Sequence, residues 1–318
     1  MKAIQLHNYG TSKDLKIEEI NKPTITDDQV LVKVYAASVN QFEIKLASGA
    51  MKDIMPLHFS WIPGSDFAGV IEAVGKNVTG FKAGDEVYGN TAAAGGYAEY
   101  LAADTDKIAL KPASLDWVQA ASIPVVALTA YQAMFLHGKL EAGQTVLIHG
   151  AAGGVGAYAV QFAKNAGAKV VATSSTGDRD FVRSLGAEKV IDYKNEKFED
   201  HVQDADLVLD TIGGDTQQRS YAVLKKGGRL VATSQPPKKE DAEKYGVNAM
   251  MMQMKANSED LNEIAVLFAN GNLKVDIAKI YSLDRASEAW DAIAPNISKD
   301  KSGAGEKIGH GKAVLKIG

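Results

Sequence analysis

The chain contains no cysteine. That absence removes disulfides, thiol nucleophiles and every zinc site built on thiolate ligands. An excess of positive charge is also lacking: 35 Lys and Arg stand against 39 Asp and Glu, a formal net charge of −4. No broad cationic surface is available to neutralise a phosphate backbone, which argues against nucleic acid as the main partner. Long hydrophobic runs are missing too. The longest apolar stretch, residues 123–136, is shorter than a bilayer span and is interrupted by Thr129, Tyr131 and Gln132, so it predicts a buried helix and no membrane attachment. Residues 1–6 carry one lysine and no apolar segment ending in small residues, so a cytoplasmic protein without a secretory signal is expected.

What is present points to two domains, because 318 residues, 46% of them hydrophobic, exceed what one core usually organises. Up to about residue 103, short β-branched runs broken by Gly, Pro and Asp predict strands at 29–35, 68–74, 86–88 and 97–101. From Thr145 apolar runs alternate with helical segments, the βαβ pattern of a parallel sheet covered on both faces. Strands are expected at 145–149, 169–173, 189–191, 207–210 and 229–233. Helices are expected at 155–164, from an Asp178 cap to a stop at Gly186, at 261–268 and at 286–293. A final strand at 313–317 should return to the first domain, and residues 298–311, rich in Gly and Lys, read as a mobile surface loop.

The run Gly150-Ala151-Ala152-Gly153-Gly154-Val155-Gly156 follows an expected strand and opens an expected helix, the context a dinucleotide fingerprint requires. Glycines let the backbone approach a pyrophosphate, and the exposed amides and dipole at the helix N-terminus stabilise its negative charge. Enzymes that prefer NAD place an acidic residue about 20 positions on. This chain has Thr173-Ser174-Ser175-Thr176 there, with Arg179 near enough to pair with a 2′-phosphate and Asp178 as a competing acid, so NADPH is favoured. The alternative is that the serines form a turn and Arg179 is solvated.

Residues 143–156, continued through 161–164, resemble the signature of the quinone oxidoreductase and zeta-crystallin family of the medium-chain dehydrogenases/reductases. The resemblance extends over nearly the whole chain: Ala36-Ala37-Ser38-Val39-Asn40, Pro63-Gly64-Ser65-Asp66-Phe67-Ala68-Gly69, Gly96-Tyr97-Ala98-Glu99-Tyr100, Leu128-Thr129-Ala130-Tyr131 and Gly311-Lys312-Ala313-Val314-Leu315. Plant quinone oxidoreductase homologues and alkenal or enone reductases look most similar. The resemblance implies an α/β protein: a GroES-like β-rich catalytic domain from residues 1–123 and 271–318, and a Rossmann NADP-binding domain at 124–270, with cofactor and substrate in the cleft. In zinc-dependent relatives two cysteines and a histidine hold the catalytic metal. Asn40, Ser65 and Val125 stand at those positions, a set that cannot hold zinc, and residues 89–96 replace a lobe of four further cysteines.

Without a Lewis acid, the chemistry suited to this scaffold is hydride delivery to a carbon made electrophilic by conjugation, in a quinone, enone or enal. The resemblance places Asn40 beside the nicotinamide ribose or substrate carbonyl, Thr129 at the carboxamide, and Tyr193 near the adenosine phosphate. Each also suits a structural role: Asn40 as an amide capping local backbone, Thr129 bonding within its helix, Tyr193 packing at the sheet edge. Gly213, Gly214, Thr233 and Ser234 follow strand ends where open α/β sheets bind ligands, and are expected to contact cofactor chiefly through backbone. Tyr97 and Lys45 carry protons but suit packing and solvation, and His149 reads as structural. Residues 57–61 and 250–254 offer apolar surface for a substrate or a partner subunit, with core packing slightly favoured. The family expectation is a homodimer. Two other readings stand beside the reductase: a zinc-free dehydrogenase of an unusual alcohol, and an NADPH-binding regulatory or structural protein without turnover.

Overall fold

The computed structural model describes residues 1–92, 94–294 and 309–318, which gather into two compact units. The first comprises Met1–Val125, Ala256–Asn270 and Val275–Gly318, the second Val126–Lys255 and Gly271–Lys274. Residues 298–308 of the expected loop lie outside the described residues.

The first unit opens with β1 (Lys2–Gln5) paired antiparallel to β2 (Lys16–Glu19). Its central strand is β3 (Gln29–Ser38), where Val30, Val32 and Val34 are buried and Lys33 is exposed, the period of two that puts one face on a core. Beyond Tyr35 the alternation stops, and Ala36, Ala37 and Ser38 are all buried. After α1 (Gln41–Ala47), the strands β4 (Asp66–Val74), β5 (Glu86–Asn90), β6 (Tyr100–Asp104) and β7 (Ile108–Leu110) complete this part of the sheet, followed by α2 (Trp117–Ala121). The strand expected at 97–101 is shifted: Tyr97 donates its amide to Pro63 O in an irregular crossing, and regular pairing with β3 starts at Tyr100.

The buried helix expected at 123–136 is two structures. Pro124 opens α3 (Pro124–Tyr131), and residues 132–137 wind on as a π-helix closed by a hydrogen bond from Gly138 N to Ala133 O. Ala127, Leu128, Ala133 and Met134 are buried, but Leu136 is 62% exposed. The Gln132 amide meets the Lys255 backbone at both ends, at 2.7 and 3.0 Å.

The second unit carries β8 (Thr145–Ile148), α4 (Gly154–Asn165), β9 (Lys169–Ser174), α5 (Arg179–Ser184), β10 (Lys189–Asp192), β11 (Ala205–Asp210), α6 (Gly214–Ser220), β12 (Leu224–Ala232), α7 (Lys239–Tyr245) and β13 (Asn248–Met251). All six strands are parallel, in the order β10-β9-β8-β11-β12-β13. That is the doubly wound arrangement, with its switch point between β8 and β11 and its ligand crevice at the carboxyl ends of the strands. Three of four residues of β8 and five of six of β11 are buried, as continuous apolar runs in a sheet covered on both faces require. The 250–254 run is split by this sheet: Met250 and Met251 lie exposed on edge strand β13, and Met252 is buried.

The chain then returns to the first unit. Helix α8 (Ser258–Ala269), expected in the nucleotide-binding domain, belongs here, and Tyr88 Oη donates to Leu261 O at 2.7 Å. After β14 (Ile277–Ser282) and α9 (Ala286–Ile293), strand β15 (Lys312–Lys316) pairs parallel to β14 and antiparallel to β3. Trp290 of α9 is fully buried in a core that also holds Leu6, Leu46, Trp61, Tyr97 and Leu315.

His149 proves to be a buried strut of the second unit. Ser220 Oγ donates to Thr216 O, so it accepts from His149 Nε2 at 2.9 Å, which leaves Nδ1 to accept from Thr173 Oγ1 at 3.1 Å. Burial pushes the imidazole pKa down to about 4. An unfolded histidine takes up its proton below about pH 6.5, whereas the folded one refuses it until about pH 4, so stability is lost as pH falls through that window. The loss should reach about 3 kcal/mol relative to His149→Gln, measured as the difference in urea unfolding between pH 6.5 and 4. Parallel pH profiles for the two proteins would contradict the assignment.

Candidate functional site

In the second unit, the turn after β8 is built by close backbone contacts. Gly150 has φ +68°, in the left-handed region, and Gly153 N donates to Gly150 O at 3.0 Å. A Cβ on Gly156 would overlap that same carbonyl oxygen, so glycine is what lets α4 start against the end of β8. Ala152, Gly154 and Val155 are half-buried and Gly153 is exposed. The cap residue Gly153 has no side chain to satisfy the amides of the first turn. Twelve residues of aligned peptide dipoles thus end on a small, glycine-lined surface that fits a pyrophosphate.

The ends of β9 and β10 gather the next group. Ser174 is buried as the last residue of β9, one position further than expected, and Tyr193, 60% exposed, donates its amide to Ser174 O at 3.2 Å. Arg179 is half-buried, its guanidinium 3.2 Å from Val190 O and 3.5 Å from Glu196 Oε1. The expectation of a strand end with only Asp178 as a nearby acid needs correction. The Asp178 carboxylate accepts from Ser175 Oγ at 2.6 Å, and Asp192, brought alongside by parallel pairing of β10 with β9, accepts from Thr176 Oγ1. That hydroxyl holds the Asp192 carboxyl below the usual carboxylate range. Asp178 does stand at the N-cap of α5, as expected, but it ends a 3-10 turn at Thr176–Asp178 and its side chain makes no cap hydrogen bond to the helix.

The turn after β11 lies next along the sheet. Asp210 accepts from the amides of Ile212 and Gly213, both at 2.9 Å, and Gly214 N donates to Gln235 Oε1. The amides of Gly213 and Gly214 are therefore spoken for, and what this turn offers a ligand is close approach without a side chain. Thr233, half-buried, donates its amide to Asp210 O at 3.0 Å, and Ser234 is exposed beside Gly213. Thr129 is half-buried in α3.

In the first unit, Asn40 precedes α1 and is 5% exposed. Its Nδ2 lies 3.1 Å from Asp66 Oδ2, 3.2 Å from Glu43 Oε1, 3.4 Å from Ser38 Oγ and 3.5 Å from Ser65 Oγ, while its Oδ1 accepts from the Lys312 ammonium. Glu43 and Asp66 are fully buried. Glu43 also accepts from Ser65 N and Oγ, both at 2.8 Å, and from Tyr97 Oη at 2.9 Å. Asp66 accepts from Ser38 Oγ, Asn90 Nδ2 and Val125 N at 2.9, 2.6 and 3.0 Å. Desolvation raises both carboxyl pKa values, and the same burial lowers that of Lys312.

Asn40, Ser65 and Val125, the three positions that the resemblance sets against zinc ligands, thus converge on Asp66 and Glu43. They do not fit a zinc ion: one is a neutral amide already bonded to an ammonium, one a hydroxyl committed to Glu43, one an aliphatic side chain. Tyr97, fully buried, donates to Glu43 and accepts from Trp290 Nε1 at 3.2 Å, and Lys45 is exposed on α1. Glu43 and Lys312 were not singled out in the sequence. The signal for Glu43 was the Asn40-x-x-Glu43 spacing, in which the N3 acid returns to the cap amide, here at 3.4 Å. Lys312 lies in segment 311–315 of the resemblance, but nothing local assigns it a role, and it reaches Asn40 through sheet pairing.

Residues 26–113 match the family model described as alcohol dehydrogenase GroES-like domain, and residues 185–297 the model described as zinc-binding dehydrogenase. The chain is 35% identical to 2-methylene-furan-3-one reductase of Solanum lycopersicum over 91% of its length and 75% of that protein. It is 32% identical to quinone oxidoreductase of Homo sapiens, covering 92% and 94%, and 34% to chloroplastic NADPH-dependent alkenal/one oxidoreductase of Arabidopsis thaliana, covering 95% and 78%. Among solved structures, quinone oxidoreductase from Coxiella burnetii superposes with a TM-score of 0.86 at 32% identity over 100% and 99% of the two chains. The Escherichia coli quinone oxidoreductase complexed with NADPH gives 0.85 at 26% over 99% and 100%.

Gly154→Asp should test the turn. A carboxylate in the first turn of α4 is compatible with the helix dipole, so the fold should stand, but its charge opposes a pyrophosphate at the same place. NADPH affinity, read by fluorescence titration, should fall at least about 100-fold. Unchanged affinity would place the nucleotide elsewhere.

Proposed function

The chain belongs to the quinone oxidoreductase family of the medium-chain dehydrogenases/reductases, and on that premise we propose that it reduces quinones or the activated C=C bonds of enones and enals with NADPH, without a metal. One observation supports the metal-free part: at the three positions that the resemblance equates with zinc ligands stand side chains unable to ligate zinc, packed among the Lys312 amine and the carboxyl groups of Glu43 and Asp66. A site of that kind suits acceptors whose conjugation already makes a carbon electrophilic.

NADPH bound on the second unit supplies the hydride. The protein's own share is positioning. The first turn of α4 is suited to hold the pyrophosphate, Arg179 with Ser174, Ser175 and Tyr193 to take the adenosine end, and Thr129 with the exposed Gly213 turn and Thr233-Ser234 to line the remainder. Asn40 is assigned to orient the reacting groups. Its Nδ2 is engaged by carboxylates, so the free capacity of its amide is a second lone pair on Oδ1, which suits a hydroxyl or N–H rather than a carbonyl.

A homodimer in the cytoplasm completes the reading. The edge strand β13 exposes Met250 and Met251, 40% and 45% accessible, beside backbone groups open to a further strand. No helix among the described residues is long and apolar enough to cross a membrane.

The test follows absorbance at 340 nm with NADPH and NADH separately, using quinones, enals, enones and a saturated ketone in the presence of a chelator. Consumption of NADPH with conjugated acceptors only, unaffected by the chelator, is expected; NADPH binding without consumption would overturn the enzymatic reading. Arg179→Ala should weaken NADPH about 10-fold, the worth of one charge-assisted contact to the 2′-phosphate, and leave NADH within about twofold. Equal losses for both cofactors would remove Arg179 from the site.

A further inference from the structure

We propose that Lys312 is a positioning residue of this site: its ammonium, fixed on Val39 O and Asn40 Oδ1, sets which end of the Asn40 amide is presented to ligands. The inference rests on the metal-free reductase reading for its consequence in turnover. Its geometry stands independently.

A carboxamide has two ends of nearly equal size and opposite polarity. Around Asn40 the charges on the two sides differ in sign. Nδ2 faces four oxygens within 3.1 to 3.5 Å, two of them on buried carboxyl groups, and Oδ1 faces the ammonium. Rotating the amide by half a turn would set its NH2 against Lys312 and its carbonyl against Asp66 and Glu43, so the cluster admits one orientation. The two carboxylates define one side of that choice and, among the described residues, Lys312 defines the other.

The position of Lys312 is itself set by backbone. Strand β15 pairs with β3 through Val314 opposite Ser38, and Val39 N donates to Ala313 O at 2.9 Å. Lys312 therefore sits two residues before the segment in register with β3, where its side chain meets Val39 and Asn40 as they leave β3. A lysine of the last strand thus supplies a fixed positive charge at this place, and it also offsets the charge of Asp66 and Glu43.

Charge balance and amide positioning are separable. Lys312→Met alone leaves buried carboxylates uncompensated and should lower thermal stability. The comparison that decides is therefore Asp66→Asn against Asp66→Asn/Lys312→Met, in which one carboxylate has already been neutralised. Three properties are read: the thermal midpoint, kcat for NADPH-dependent reduction of an enone, and the 15N side-chain signal of Asn40, assigned by its loss in Asn40→Ser. The paired variant should keep the midpoint of Asp66→Asn within a few degrees, lose about 10- to 100-fold in kcat, and show a displaced Asn40 signal. Either a recovered kcat or an unmoved Asn40 signal would reduce Lys312 to a charge-balancing residue and overturn the proposal. If the paired variant does not fold, Lys312→Arg, which keeps the charge and moves the donor, should show the same fall in kcat with a displaced signal; wild-type kcat or an unmoved signal there overturns it equally. A wild-type protein that consumes no NADPH with any conjugated acceptor would sink the proposed function, and the Asn40 signal would then decide the positioning role by itself.

Discussion

Two fully buried carboxyl groups, Glu43 and Asp66, hold the first unit together around its chemistry. Burying such groups is costly unless every oxygen finds donors, and the donors come from far apart in the chain: Ser38 at the end of β3, Asn40 before α1, Ser65 before β4, Asn90 at the end of β5, Tyr97, and the amide of Val125. Lys312 of the last strand adds the compensating charge. Apolar packing alone tolerates small slips, but a network with this many directional partners has one satisfied arrangement. The cluster thus fixes where each segment enters the site.

The second unit solves a different problem with different means. Its candidate nucleotide surface relies on backbone, on the absence of side chains at Gly150, Gly153, Gly154 and Gly156, and on the dipole of α4. Side chains matter at the far end, where Ser175, Thr176, Arg179, Asp178, Asp192 and Glu196 form a mixed-charge rim. Arg179 is held there by a carbonyl and a carboxylate. An anion arriving at this rim therefore competes with Glu196 for the guanidinium, a constraint the sequence pattern of serines and arginine did not express.

Legibility tracked the range of the interactions involved. The glycine turn and its flanking strand and helix were read to within a residue or so, because each depends on contacts a few positions apart. Helix α9 was placed at its observed ends. Strand β13 was hidden in a methionine-rich run of no clear period, and its place at the sheet edge comes from pairing with β12. The break between α3 and the following π-helix lacked a local marker. Helix α8 was assigned to the wrong side of the domain division by its position in the chain, since a contact such as Tyr88 to Leu261 spans residues that the sequence does not relate.

The residues by themselves determined one thing the protein is unable to do and the local form of its second half: no cysteine means no thiolate zinc site, and a glycine-rich turn between strand and helix has the form suited to a pyrophosphate. Both follow from composition and short spacing. Tertiary structure alone decided that Asn40 has its donor end engaged by carboxylates, that Asp192 joins Asp178 at the end of β9, and that Lys312, some 270 positions away, supplies the charge beside Asn40. The reason is physical: the polarity a buried amide or carboxylate presents depends on what is packed against it, and those neighbours are chosen by sheet pairing across the whole chain.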